Sequence, residues 1–303
     1  MIFVVSLAVL IKASDVFVES AEKIGLALGV SPFIIGVTIV AFGTSLPELA
    51  TSIASVQMGS SEIVVANVVG SNITNILLVV GVVAVVGKGI DLNYNIMNID
   101  MPMLIASALL MWFTISDGHL DMFEVSLYLI SLAIFLTHSI KKKRVKDENR
   151  PELKPMSFLL LLVAGVLIYF SAVYVIQGLK GIAEIANIDK AIISTGALAL
   201  GTSLPELVVS LAAVKRNNHS IAIGNVLGSN IFNTYGVLGV SSLFGNLVFP
   251  ASVLTFSAPF MIGLTVMFAF VMLTKRVSRW EGYILLIFYT FFIYNLAKFG
   301  IVA

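Results

Sequence analysis

Two carboxylates sit where an apolar chain can least easily carry them. Glu48 lies in the run AFGTSLPEL at 41–49 and Glu206 in ALGTSLPEL at 199–207, each inside an otherwise apolar stretch. A charge in such a stretch costs a few kcal/mol or more in a membrane and usually faces a polar cavity that carries function. Around the two acids lie matching neutral groups: Thr44, Ser45, Ser71 and Asn75 with Thr202, Ser203, Ser229 and Asn233. All of them offer oxygen. Hard cations such as Ca²⁺ take roughly six to eight oxygen ligands, whereas soft metals need thiolate or imidazole. The chain has no Cys, and none of His119, His138 or His219 falls on a motif's polar face. Two carboxylates balance one Ca²⁺ or two Na⁺. Left empty in a low dielectric they would repel each other, so an unoccupied carrier is disfavoured in transit and exchange is favoured over leak.

The motifs come as duplicates. NVVGSNITN at 67–75 follows the first acid and NVLGSNIFN at 225–233 the second, and a constant offset of 158 residues relates Glu48 to Glu206 and Gly70 to Gly228. About half of the positions from Ala41 to Gly81 match their partners at that offset, which marks a duplicated unit. Pro47 has no N–H and clashes with the carbonyl of Gly43, so a break or kink is expected there, freeing carbonyls near Ala41. Gly201 and Pro205 repeat the device and would free carbonyls near Ala199. Unpaired backbone at membrane depth is tolerated where it lines a cavity or is packed by protein. Ser71 with Asn75, and Ser229 with Asn233, are four apart and share a helix face. Asn72 and Asn230 read equally well as ligands or as simple hydrogen bonds across helices.

The elements that must hold these groups are apolar helices. A chain of 303 residues, 58% hydrophobic and 12% charged, exposes too much apolar surface for a soluble fold and reads as a polytopic membrane protein. At about 20 apolar residues per span, the expected helices are 1–26, 31–57, 62–86, 97–116, 120–140, 156–186, 189–214, 219–244, 252–274 and 280–299. The apolar N-terminus reads as the first of these, not as a signal peptide. KKKRVKDENRPELKP at 141–155 is the one strongly polar segment. The expected plan is an all-α membrane protein of ten transmembrane helices, with a repeat at 1–140, a cytoplasmic linker at 141–155 and a repeat at 156–303. Five is odd, so two such halves enter the bilayer from opposite sides, as in many secondary transporters with midplane ion sites. A cytoplasmic linker also places Lys88, Lys215, Arg216, Lys275, Arg276 and Arg279 inside, with both termini external.

The paired GTSLPE and GSNxxN motifs, one set per half, resemble the α-repeats of the sodium/calcium exchanger family among the cation/Ca²⁺ antiporters. The resemblance is dense over the two helix pairs and looser over the ten-helix plan. It implies a monomeric antiporter in which Na⁺ entry drives Ca²⁺ out, gated by the first and sixth helices sliding over the rest. It further implies that Glu48, Thr44, Glu206 and Thr202 hold Ca²⁺. Ser45, Ser71 and Ala41 in one half, and Ser203, Ser229 and Ala199 in the other, would form flanking Na⁺ sites. Some relatives carry Asp where this chain has Asn233, and in the potassium-dependent ones that Asp is tied to K⁺. With Asn75 and Asn233 both neutral, no K⁺ requirement is expected.

The nearest alternative is a Ca²⁺/H⁺ antiporter, which resembles this plan but typically carries a GNxxE motif; the extra hydroxyls of Ser45 and Ser203 favour sodium. An intramembrane hydrolase using both acids as an acid/base pair has no Cys, no motif histidine and no evident base for its serines, so no enzyme activity is expected. A passive channel would lack coupling between ion entry and exit. No cofactor and no nucleic-acid partner is expected, only the two ions and the bilayer, with the cell membrane as the expected location. Lys12 and Asp15 can pair on the first helix, Glu19, Glu22 and Lys23 mark its end, and Trp112 and Trp280 fit interfacial anchors.

Overall fold

The computed structural model describes residues 2–92, 94–141, 152–185 and 201–299. Most of the expected linker, the start of the span expected at 189–214 and Ala199 lie outside them.

Helices carry nearly all of the described chain. In order they are α1 (Ile2–Ala27), α2 (Pro32–Gln57), α3 (Glu62–Val86), α4 (Asp100–Ile115), α5 (Met122–Lys141), α6 (Pro155–Ile185), α7 (Leu204–Lys215), α8 (219–242), α9 (Val253–Thr274) and α10 (Arg279–Phe299). Five of these, α2, α3, α5, α6 and α9, are long and apolar enough to cross a bilayer. Helix α1 spans 26 residues but carries Lys12, Asp15 and Glu19 along its length. Helix α4, at 16 residues, is shorter than the expected span.

Burial orders the helices into a centre and a periphery. The most apolar stretch of α3 is 83% buried, against 28% for α6 and 22% for α5. A helix that is apolar on all sides belongs inside, and α3, rich in Val and Ile, takes that place. Helix α8 is its counterpart, with every residue from Ile221 to Leu238 buried. Helices α5 and α6 turn Ile130, Ile134, Leu162 and Phe170 outward, as lipid-facing surfaces do.

Small residues let the two halves touch backbone to backbone. A Cβ on Gly228 would lie 2.3 Å from the carbonyl oxygen of Val37, and one on Gly224 would lie 2.5 Å from that of Phe33. Only glycine permits an approach this close between apolar helices. The contact seats the start of α2 directly on the helix that carries the second GSNxxN motif.

Wide turns follow each of these motifs. Helix α3 passes through a π-helical segment at Asn75–Val79, and α8 through one at the equivalent Asn233–Val237. Such i→i+5 turns inside α-helices often mark functional sites. A further one, Gly36–Val40, precedes Ala41 in α2.

The expected breaks at the two prolines come out differently. Helix α2 runs unbroken through Pro47, from Ala41 to Gln57, so the break expected at Gly43–Pro47 is replaced by the wide turn one step earlier. In the second copy Thr202 and Ser203 form a turn, and α7 starts at Leu204 with Pro205 in its first turn. There the missing N–H of Pro205 costs nothing, because a first-turn N–H has no helical partner.

At one end of the bundle, two residues from each half pair as short antiparallel strands, Ile90 with Val277 and Asp91 with Arg276. The Asp91 carboxylate lies 3.4 Å from Arg276, and the Asp91 N–H donates to Nδ1 of His219 at 3.2 Å. The turn after α7 is tied to the end of α1, where Arg216 lies 3.3 Å from Glu19 and Asn218 donates to Glu22 at 2.9 Å.

Candidate ion-binding site

Both acids are sealed from solvent. Glu48 is 1% exposed and Glu206 fully buried. Helix α2 presents Ala41, Thr44, Ser45, Glu48 and Ser52 as its buried face, a 3-and-4 spacing that puts the motif's oxygens on one stripe. Helix α7 brings Ser203 and Glu206 inward in the same way.

The two motifs meet directly. The Ser45 hydroxyl of the first donates to Oε1 of Glu206 in the second, at 3.2 Å. Glu48 Oε1, Glu48 Oε2 and Glu206 Oε2 are left buried with no hydrogen-bond partner. An unsatisfied buried polar atom costs about 1–3 kcal/mol, and more when charged. Three such oxygens, from two helices, have no protein group to satisfy them. Among the described residues no group of three or more His, Cys, Asp or Glu is placed to hold a metal ion; the buried side chains described beside the two acids are neutral.

Threonine and serine extend the site symmetrically. Thr202 and Ser71 hydroxyls are 2.9 Å apart, and their counterparts Thr44 and Ser229 are 3.4 Å apart. Thr44 can also donate to the carbonyl of Ala41 at 3.3 Å. The Ser203 hydroxyl is buried without a partner. Asn75 and Asn233 are fully buried; each donates its Nδ2 to an asparagine of the opposite half, Asn75 to Asn230 at 2.9 Å and Asn233 to Asn72 at 3.2 Å. Ala199 lies outside the described residues, and every other residue expected at the site is buried or, for Thr202, half-buried.

Sequence reasoning passed over two groups. Asn225 accepts from Thr44 at 3.1 Å and donates to Ser210 at 3.0 Å. A hydroxyl that binds a cation must point its proton elsewhere, and Asn225 takes the proton of Thr44. Asn225 and Ser210 recur in the first half as Asn67 and Ser52, at the same offset of 158, so the duplication itself carried the signal. Thr234, which accepts from Asn72 at 3.0 Å, has Ile76 as its counterpart and gave none.

The two halves differ around these asparagines. Asn225 is fully buried, whereas Asn67 is half-buried and lines a cavity of about 150 Å³ with Thr51, Ser52, Ile63, Ser71 and Thr202. The cavity reaches the site from the side of the turn between α2 and α3.

The sodium/calcium exchanger protein family model matches residues 1–141 and 156–298. The chain belongs to that family. It is 35% identical to the sodium/calcium exchanger MaX1 of Methanosarcina acetivorans, with 97% of each chain aligned. With the putative antiporter CaxA of Alkalimonas amylolytica it shares 34% identity over 93% of each. The solved structure of the sodium-calcium exchanger NCX_Mj soaked with Na⁺ and Sr²⁺ superimposes with a TM-score of 0.85, at 32% identity and 97% coverage of each chain. A mostly helical, multi-pass membrane architecture fits both this exchanger family and the helices described above.

Proposed function

We infer that this chain exchanges Na⁺ for Ca²⁺ across a membrane, with both ions taken in turn by one site that the two motifs share. The observation that carries this reading is the meeting of Glu206 with Ser45 beside three unpartnered carboxylate oxygens. Two negative charges match one Ca²⁺ or two Na⁺, and neutral oxygens complete a hard-cation shell. Glu48, Glu206, Thr44 and Thr202 hold Ca²⁺; Ser45, Ser71, Ser203 and Ser229, with the carbonyls of Ala41 and Ala199 and the amides of Asn75 and Asn233, serve the flanking Na⁺. Empty, the carboxylates repel in a low dielectric, which couples the departure of one ion to the arrival of the other.

The architecture that suits this cycle is ten helices in two inverted five-helix repeats, 1–140 and 156–303, joined by a cytoplasmic linker. The chain acts as a monomer in the cell membrane, with both termini outside, and carries out no enzymatic reaction. In that orientation the cavity beside Asn67 opens outward.

The test is Ca²⁺ flux into proteoliposomes, driven first by a Na⁺ gradient at uniform pH and then by a pH gradient without Na⁺. Exchange of Na⁺ for Ca²⁺ requires flux in the first and none in the second. Flux driven by protons alone makes the chain a Ca²⁺/H⁺ antiporter instead.

A further inference from the structure

Four asparagines cross between the halves at the wide turns of α3 and α8, and their hydrogen bonds have only one consistent polarity. Asn72 donates its Nδ2 to the main-chain carbonyl of Asn230 at 3.4 Å and to Thr234 at 3.0 Å. Asn230 donates its Nδ2 to the main-chain carbonyl of Asn72 at 3.2 Å. A carbonyl only accepts, so the nitrogens of Asn72 and Asn230 must face those carbonyls and their Oδ1 atoms must face away. The Oδ1 of Asn72 then meets Asn233, and the Oδ1 of Asn230 meets Asn75. Against an oxygen, Asn233 and Asn75 can present only nitrogen. Their own Oδ1 atoms are thereby turned the other way, and both are buried without a partner.

We propose that Asn72 and Asn230 are positioning residues of the ion site, each fixing the amide polarity of an asparagine in the opposite half so that it offers oxygen, never nitrogen, to the passing cation. A flipped amide would aim N–H dipoles at a positive charge. The rigid reference for the device is main chain, the two carbonyls at 72 and 230, which cannot rotate as side chains do. Ser71, one turn before Asn75 on the same face, touches Thr202 four residues ahead of Glu206. Ser229 stands in the same relation to Asn233 and approaches Thr44 four residues ahead of Glu48. The oriented oxygens therefore belong to the faces that meet the acidic motifs. This inference rests on the reading of Asn75 and Asn233 as ligands given above.

The device is crossed, and that makes it testable by double-mutant cycles in reconstituted full-length protein. Half-saturating Ca²⁺ and Na⁺ concentrations and maximal rates are measured for Asn72→Ala, Asn233→Ala and the double variant, then for Asn230→Ala with Asn75→Ala. Asn233→Ala is expected to raise the half-saturating concentration of at least one ion about tenfold, the scale of one lost buried interaction. Asn72→Ala should raise the same constant severalfold in the native background and leave it unchanged once Asn233 is Ala. The same-half pair Asn72 and Asn75 should combine additively. Additive effects for Asn72 with Asn233 overturn the inference while leaving the ligand reading intact. No change with either ion in Asn233→Ala and Asn75→Ala overturns both. Should Asn72→Ala fail to fold, the reciprocal cycle of Asn230 with Asn75 decides.

Discussion

The Ser45 hydroxyl donates to the Glu206 carboxylate across the boundary between the two halves, at 3.2 Å. Serine in one motif thus satisfies one of the four carboxylate oxygens that the pair of acids presents. The contact ties the two motifs together and spends the Ser45 proton, not its lone pairs.

Ser45→Ala removes that hydrogen bond and one candidate Na⁺ ligand together. A hydrogen bond to a charged group contributes about 1.5–3 kcal/mol, so the half-saturating Na⁺ concentration for exchange should rise at least tenfold. Concentration series of Na⁺-driven Ca²⁺ flux measure it. An unchanged Na⁺ dependence would remove Ser45 from the site.

Access should be one-sided in the conformation described. Ile63 is 40% exposed and lines the cavity, whereas its equivalent Ile221 is fully buried. Because the chain has no native Cys, single Ile63→Cys and Ile221→Cys variants can be labelled cleanly with a membrane-impermeant thiol reagent. Ile63→Cys should react from the external side and Ile221→Cys should not. During turnover Ile221→Cys should become reactive from the opposite side only. Equal labelling of both positions from one side would describe a pore.

Potassium should be dispensable. Asn75 and Asn233 bring no charge to the site, and both spend their nitrogens on asparagines of the other half. Replacing K⁺ by choline in the flux buffer should leave the rate unchanged, and a strict K⁺ requirement would contradict the assignment.

Gly228→Ala tests the seating of α2 on α8. The added methyl would lie 2.3 Å from the Val37 carbonyl oxygen and 2.7 Å from the Ala41 side chain, and both are held by packed helix. Overpacking of this kind costs about 1–3 kcal/mol. The thermal unfolding midpoint of the purified protein should fall and exchange should weaken, since Ala41 opens the site stripe.

Much of this arrangement was legible in the residues. The spans expected at 31–57, 62–86 and 252–274 agree within a residue with the helices Pro32–Gln57, Glu62–Val86 and Val253–Thr274, because unbroken apolar runs bounded by glycine and polar turns leave little choice of limits. The candidate oxygens stood out because a constant offset repeats them. The wide turns at Asn75 and Asn233 did not, since a single widened turn leaves the pattern of apolar residues unaltered. Nor did the continuity of α2 through Pro47: a proline removes one hydrogen bond in any chain, but neighbouring helices decide whether the helix then breaks. Asn225 was visible as a repeated residue, yet nothing in its type separates a group that holds Thr44 from one that merely packs.

The central claim is that Glu48 and Glu206 together hold the transported cation, and its most direct test is Na⁺-driven uptake of radiolabelled Ca²⁺ by Glu206→Gln beside the native protein in proteoliposomes. With a single negative charge left against a divalent ion, the variant should show no uptake above protein-free vesicles while the native protein exchanges. Uptake by Glu206→Gln at a rate near the native one would contradict the account.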